Sequence, residues 1–211
     1  MLVGVVMVAV ALYLYIDLKF TRQPAPASAT ETAAGPAKLT LGTTPAVGSL
    51  GGEPPWVSYL KRNDDGSWDH TTIYELPANS QVDLTIYQFD SATGLRNPYL
   101  SQVQGTVGGT MRLDGQTVRN IDPNEASHTF SVPDLGVIVP LAGVGDNAPN
   151  QCPEMPCTLE QAHRTIEFTI RTPDSGQIRW QCFVPCAAGF INGNGGPMQT
   201  VGYMDGYLKI R

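Results

Sequence analysis

The sequence predicts an all-β sandwich behind a single N-terminal helix. Of the 211 residues, 42% are hydrophobic and only 15% are charged, which is enough apolar material for one full-sized core. The 22 glycines and 17 prolines are scattered along the chain and separate many short apolar runs. Helical periodicity is nearly absent beyond the N-terminal segment, so we expect one loop-rich β domain.

The strand pattern begins near Trp56. One run, residues 81–89, alternates apolar and polar side chains in the period-2 pattern of a half-buried strand. Turns rich in Asp and Gly separate several of the runs, which is typical of a β-sandwich. The predicted strands cover residues 56–61, 70–76, 81–89, 103–107, 110–113, 117–121, 126–132, 165–171, 178–183 and 206–211.

The N-terminal segment predicts a membrane anchor. Residues 1–16 carry no charge and are almost wholly apolar. As a helix they span about 24 Å at about 1.5 Å per residue, and residues 18–20 extend them toward the roughly 30 Å hydrocarbon core. We therefore expect residues 1–20 to form a transmembrane helix. A cleaved signal peptide is the alternative: Ala25–Ala27 offers a cleavage site, but no Lys or Arg precedes Asp17.

Composition sets the expected domain boundaries and the side of the membrane. Residues 21–45 are rich in Pro, Ala and Ser and are expected to be a linker, and residues 46–211 are expected to be the domain. Lys19 and Arg22 follow the helix and would place the domain in the cytoplasm. Four cysteines favour the oxidising, extracytoplasmic side instead, and we expect a single-pass protein of the cell membrane with its domain on that side.

Charge and motifs exclude several classes of function. The net charge is −6, and no stripe of Lys and Arg is present that could neutralise phosphates, so nucleic acid is not expected as a partner. An acidic surface suits a basic redox carrier such as cytochrome c. The Gly-x-Ser-x-Gly, His-Glu-x-x-His and phosphate-loop patterns are absent from the sequence, so we expect no catalytic activity of its own.

The four cysteines leave two interpretations open. Cys152 and Cys157 enclose a compact loop, while Cys182 and Cys186 begin a Gly-rich stretch that ends at Met198. The simplest interpretation is two disulfides, for which three pairings exist. The alternative is a thiol metal site at the second pair.

The order of these motifs resembles a known family. A strand Ser127-His-Thr-Phe-Ser-Val-Pro133 is followed by Cys182-x-x-x-Cys186 and then by Met198, all behind an apolar N-terminal helix. This order resembles the cupredoxins, in particular the periplasmic domain of subunit II of haem-copper oxidases. The resemblance implies a Greek-key cupredoxin sandwich, copper as the cofactor and a place beside a respiratory oxidase or supercomplex.

The resemblance also implies the ligands and shows what is missing. His128 matches the first histidine ligand, Cys182 and Cys186 the bridging thiolates, and Met198 the weak ligand. The position of the family's second histidine is Phe190, and no histidine occurs between Cys186 and the C-terminus. One imidazole, two thiolates and one thioether favour Cu(I) storage or delivery over a fast one-electron couple.

Two classes of function follow from this incomplete set. The first is an accessory or structural subunit of a cytochrome c oxidase type complex, metal-free and disulfide-bonded. The second is a copper-binding protein for electron transfer or for Cu(I) delivery to the oxidase. An unrelated Ig-like or jelly-roll binding module would need no second histidine. His70 and His163 match no ligand motif, and we expect both to be ordinary residues of the domain.

Overall fold

The computed structural model describes residues 2–17, 23–51, 54–94, 96–187 and 195–211. This part of the chain contains one α-helix and thirteen β-strands. They are α1 (Leu2–Ile16), β1 (Ala27–Ser28), β2 (Ala37–Thr44), β3 (Ser58–Arg62), β4 (Trp68–Asp69), β5 (Ile73–Leu76), β6 (Gln81–Gln88), β7 (Met111–Leu113), β8 (Gln116–Val118), β9 (Ala126–Val132), β10 (Val137–Ala142), β11 (Arg164–Arg171), β12 (Gly176–Gln181) and β13 (Asp205–Ile210).

The strands form two sheets, so the predicted all-β sandwich is confirmed. The first has the order β1-β5-β13-β12-β9-β10, and the second has the order β4-β3-β2-β6-β11-β7-β8. Most neighbours are antiparallel, but three pairs are parallel: β2 with β6, β13 with β5, and β1 with β5. The C-terminal strand β13 lies between β5 and β12 and is therefore an interior strand of its sheet.

Aromatic side chains from both sheets fill the space between them. Trp180 of β12 is fully buried and contacts Tyr59 of β3, with ring centroids 4.8 Å apart. Phe130 of β9 stacks on Trp180 at 5.1 Å and meets Phe168 of β11 at 5.8 Å. Each such pair adds about 0.5–1.5 kcal/mol beyond the burial of its area. These contacts hold β12 and β9, which carry the candidate ligands, against the opposite sheet.

The structure differs from the predicted linker at residues 37–44. These residues form β2, which pairs with β3 on one side and β6 on the other. Leu39 and Leu41 are fully buried in the core. Their alternation with polar residues is a strand pattern, but the surrounding Gly- and Pro-rich sequence obscures it. Part of the predicted linker is therefore a central strand of the sandwich.

Two further strand predictions differ from the structure. The sequence does not predict β10, since Pro140 lacks an N–H and argues against a central strand. In the structure β10 is an edge strand of its sheet, where proline is tolerated. The predicted strand 103–107 is a loop instead, and an isolated bridge joins its Gln104 to Ile138 of β10.

The N-terminal helix α1 has fifteen residues. Its apolar side chains are exposed to solvent; the exposed fraction is 72% for Val3 and 51% for Ile16. In the described part of the chain, no helix combines the length and the apolar character that crossing a membrane requires. Residues 18–20 of the predicted anchor lie outside the described residues.

A second, smaller core lies beneath the loop that carries Cys152 and Cys157, and a disulfide joins these two residues. The loop covers Trp68, whose Nε1–H donates a hydrogen bond to the carbonyl oxygen of Cys157 at 3.0 Å. Phe89 packs against Trp68 with ring centroids 6.2 Å apart. The disulfide therefore links the two ends of a loop that covers an apolar cluster outside the main core.

Candidate metal centre

Three elements bring the candidate ligands together. His128 lies in β9, where all seven residues are buried because β10 and β12 flank the strand. Cys182 and Cys186 lie in the loop that directly follows β12. Met198 lies in a short 3-10 turn, Pro197–Gln199, that precedes β13. Because β12 lies between β13 and β9, the loop that follows β12 begins beside β9.

The imidazole and the two thiols are in direct contact. The Nδ1 atom of His128 lies 3.1 Å from Sγ of Cys186 and 3.9 Å from Sγ of Cys182. The two sulfurs are 3.1 Å apart, and the ligand atoms of all three residues lie within 4.8 Å of one another. His128 and Cys182 are buried, whereas Cys186 is half-buried. The structure thus brings three of the sequence-predicted ligands to one place.

Cys182 and Cys186 are free thiols, in contrast to the interpretation with two disulfides. The chain bends around Val184, whose carbonyl oxygen accepts a hydrogen bond from Cys182 at 3.3 Å and from Cys186 at 3.0 Å. The backbone N–H of Thr129 donates to Cys182 Sγ at 3.4 Å. Both sulfurs are therefore held in place by the backbone and point toward His128.

Charge is divided unequally within this cluster. Burial alone would lower the pKa of His128, but hydrogen bonds to Asp90 and Cys182 outweigh it and raise that pKa from 6.5 to about 9. Burial also opposes ionisation of Cys182, yet hydrogen bonds from Cys186 and His128 hold its pKa well below 9.0. The hydrogen bond to Cys182 and burial raise the pKa of Cys186. Within the metal-free cluster, His128 therefore favours its protonated form, and Cys182 ionises more readily than Cys186.

Met198 reaches the same cluster from the other end of the loop. The backbone N–H of Cys186 points at Sδ of Met198 at 3.3 Å, and the carbonyl oxygen of Met198 accepts a hydrogen bond from the Gln181 side chain. The intervening residues 188–194, which include Phe190, lie outside the described residues. The thioether therefore lies beside the backbone of Cys186.

Asp90 is the residue of this centre that the sequence does not predict. Its Oδ2 atom lies 3.0 Å from Nε2 of His128, the ring nitrogen that faces away from the sulfurs. Asp90 lies two residues after the end of β6 and 38 positions before His128. No motif marks this aspartate, so only the contact between the segment after β6 and strand β9 reveals its role.

The other two histidines lie elsewhere. The ring of His163 packs against Tyr87 and Phe89, with centroids 5.4 and 5.5 Å away, and its Nδ1 contacts the Gln161 carbonyl oxygen. His70 packs against Tyr203, and burial lowers its pKa. Within the described ranges, neither histidine joins the ligand cluster, so no second imidazole is placed there.

The donor set determines which metal ion fits. The donors are one imidazole nitrogen, two cysteine sulfurs and a thioether sulfur, a set dominated by soft ligands. Mg²⁺ and Ca²⁺ bind instead to sites rich in carboxylate and carbonyl oxygens. Thiolate and thioether ligands select Cu(I), and they also suit Zn²⁺ and iron–sulfur clusters. The residues present at this centre therefore fit a Cu(I) ion.

No protein-family model matches the chain, and no curated protein matches it. Similar solved structures include the copper protein rusticyanin, at 11% identity over 94% of both chains with a TM-score of 0.36. A rusticyanin from Thiobacillus ferrooxidans matches at 13% identity over 93% of this chain and 92% of its own, with a TM-score of 0.33. The periplasmic domain of subunit II of cytochrome oxidase of Bradyrhizobium japonicum matches at 12% identity over 82% and 83%, with a TM-score of 0.31. The similar structures thus include the periplasmic domain of oxidase subunit II, which the sequence resemblance names, at low identity. The assignment of a sandwich rests on the strand pairing described above.

Proposed function

We propose that this protein binds one Cu(I) ion through His128, Cys182, Cys186 and Met198, and that it holds the ion for storage or delivery. The observation that carries the proposal is the meeting of an imidazole nitrogen with two free cysteine sulfurs, all within 4.8 Å. A thioether adjoins them through Cys186. Bound copper would supply a soft, thiolate-stabilised Cu(I) centre.

The composition of the site favours Cu(I) over rapid electron transfer. Three of the four donors are sulfur, and sulfur stabilises the reduced ion, whereas imidazole also suits Cu(II). The histidine that the resemblance leads one to expect in the C-terminal loop is absent from the sequence. Electron transfer is the second candidate function, and it would require the same ligands to hold both oxidation states.

The free thiols count against the metal-free alternative in its disulfide-bonded form. That alternative assigns Cys182 and Cys186 to a bond, yet both are free in the structure. Cys152 and Cys157 form the disulfide instead. The chain thus combines one oxidised pair with one reduced pair, and the reduced pair offers two sulfurs that can bind a metal as thiolates.

We further propose that the protein is attached to the cell membrane with its domain on the extracytoplasmic side, as an accessory protein of a respiratory oxidase. Three features support this part of the proposal: the exposed apolar side chains of α1, the Cys152–Cys157 disulfide and the sequence resemblance to subunit II. Membrane fractionation of cells that produce the full chain tests the attachment. Co-purification with the oxidase from detergent extracts tests the partner. Recovery of the chain in the soluble fraction alone would contradict both the membrane attachment and the association with the oxidase.

A Cu(I) competition titration with a chromogenic chelator, under anaerobic conditions, tests the binding function. We expect the wild-type chain to bind one Cu(I) ion. Loss of a residue that only supports a ligand typically lowers metal affinity by about 10–100-fold. C182A and C186A each remove a ligand, so we expect each variant to lose more affinity than that. The double variant C152A/C157A is the matched control, since it removes two cysteines that do not face the site. Equal affinity in all four proteins would overturn the proposal.

Loading with Cu(II) separates the two candidate functions. If the site cycles between oxidation states, the loaded protein develops an intense thiolate-to-copper absorption band that bleaches reversibly on reduction. If the site serves Cu(I), Cu(II) yields no stable coloured protein, while Cu(I) binds tightly. The second outcome is the one we expect from three sulfur donors.

A further inference from the structure

The buried imidazole of His128 has a partner on each side. Its Nδ1 atom faces the two cysteine sulfurs, while Nε2 lies 3.0 Å from Oδ2 of Asp90. A carboxylate only accepts hydrogen bonds, so the ring nitrogen that faces it must carry a hydrogen. The contact with Asp90 therefore determines that Nε2 is a donor and that Nδ1 is the atom offered to the sulfurs.

Asp90 is itself held in a fixed position. Its second carboxylate oxygen, Oδ1, accepts a hydrogen bond from the backbone N–H of Ser91 at 2.8 Å. Its backbone N–H donates to the side chain of Gln88 at 3.2 Å, and its backbone oxygen accepts from the N–H of Val144 at 2.9 Å. The side chain is only 21% exposed. Asp90 therefore lies at the edge of the site with its backbone and one carboxylate oxygen held by hydrogen bonds, unlike a surface carboxylate that can move freely.

The ligand strand is tied to the same segment of chain. The hydroxyl of Ser127, which precedes His128 in β9, donates to the backbone oxygen of Ser91 at 2.7 Å. Thus the bend after β6 and the strand β9 are joined next to the carboxylate–imidazole contact. The distance between Asp90 and His128 follows from this backbone arrangement rather than from two independent side chains.

We propose that Asp90 is a positioning residue of the copper centre: its carboxylate holds His128 through Nε2–H and thereby leaves Nδ1 as the ring atom that binds the metal. This inference rests on the proposed Cu(I) function and adds a residue to it. Carboxylates that orient ligand histidines in this way typically contribute about 10–100-fold to metal affinity. A fixed ring also loses less rotational freedom when the metal binds.

The first test uses the metal-free protein and does not depend on copper. Nitrogen–hydrogen correlation NMR of the histidine rings should show a protected Nε2–H signal for His128 in the wild-type chain. We expect Asp90→Ala to lose this signal to solvent exchange, and Asp90→Asn, whose amide oxygen still accepts a hydrogen bond, to retain it. A folded wild-type chain without a protected Nε2–H would overturn the inference, whatever the variants do.

The second test measures Cu(I) affinity of the same proteins by chelator competition. We expect Asp90→Ala to bind about 10–100-fold more weakly and Asp90→Asn to recover most of that loss. Asp134→Ala is the matched control, because it removes an exposed carboxylate with the same change in net charge. Unchanged affinity in Asp90→Ala, in a protein whose wild type binds Cu(I), would refute the positioning role and leave the proposed function standing. Failure of the wild-type chain to bind Cu(I) would refute the proposed function and with it the role of Asp90 in copper binding.

Discussion

The Nδ1 atom of His128 lies 3.1 Å from the sulfur of Cys186, although the two residues are 58 positions apart in the chain. The same ring contacts Asp90 through its other nitrogen. One buried imidazole thus connects a carboxylate on one side with a pair of free thiols on the other. This arrangement determines both the charge of the metal-free site and the atoms that it offers to a metal.

The two thiols should ionise very differently. Hydrogen bonds from Cys186 and His128 lower the pKa of Cys182 against the effect of burial, while the hydrogen bond to Cys182 and burial raise the pKa of Cys186. We expect the ultraviolet thiolate absorbance of the metal-free protein to appear at a lower pH than that of an ordinary cysteine. The variant C182A should lose this early absorbance. A wild-type chain whose thiolate absorbance appears only at the pH of an ordinary cysteine would contradict the shift.

Stability of the metal-free protein should depend on pH in a defined way. His128 has its pKa raised from 6.5 to about 9, so its contribution is fully present below 6.5 and is lost as the pH rises through about 9. Cys182 has a lowered pKa, so its contribution is present above 9.0 and is lost as the pH falls through the folded value. Below pH 9 the two contributions change with pH in opposite directions, because folding favours the protonated form of His128 and the ionised form of Cys182.

The free energy of unfolding should fall as the pH rises above about 9, where the unfolded chain releases a proton that Cys186 retains in the folded protein. Urea titrations at a series of pH values measure this profile. The variant H128Q removes the imidazole, so the decrease in stability that His128 causes as the pH rises from 6.5 to about 9 should be absent. An identical profile for the two proteins would show that the cluster does not carry this linkage.

The ion pair between Arg179 and Asp205 should contribute measurably to stability. Asp205 is only 1% exposed and accepts a hydrogen bond from Nε of Arg179 at 2.9 Å, as well as a second one from Nη2. Removal of the guanidinium in Arg179→Ala leaves a buried carboxylate without its donors, and we expect a loss of about 1–3 kcal/mol. Arg112→Ala is the control, because its partner Glu167 is 38% exposed, and it should cost less than about 1 kcal/mol. Equal effects in chemical denaturation would contradict the importance of burial here.

Gly206 should tolerate no side chain. A Cβ at this position would lie 1.9 Å from the backbone oxygen of Thr72, which also accepts hydrogen bonds from Trp180 Nε1 at 3.0 Å and from the N–H of Tyr207 at 3.1 Å. Gly206→Ala should separate β13 from β5 and destabilise the protein by at least the about 1–3 kcal/mol typical of overpacking. Gly145→Ala is the control, since nothing lies within 4 Å of a Cβ there. A melting temperature of Gly206→Ala as high as that of the control would show that the strands can separate without cost.

Local patterns in the sequence predict much of the sandwich. The alternation of Val82, Leu84 and Ile86 correctly marks β6, since side chains in a strand point alternately to its two faces. Trp180 is buried in the core as its apolar character indicates. The predictions differ from the structure where local signals conflict, as at β2 within a Gly- and Pro-rich segment and at β10 with Pro140.

The sequence by itself determines which ligand atoms this protein has: one histidine ahead of two cysteines and a methionine, and no second histidine after them. It leaves the state of the cysteines open, because spacing along the chain says little about distances across a fold. Only the tertiary structure shows that Cys152 and Cys157 are bonded while Cys182 and Cys186 stay free beside His128. Only the contact between the segment after β6 and strand β9 brings in Asp90, because contacts between distant parts of the chain depend on how the whole sandwich is assembled.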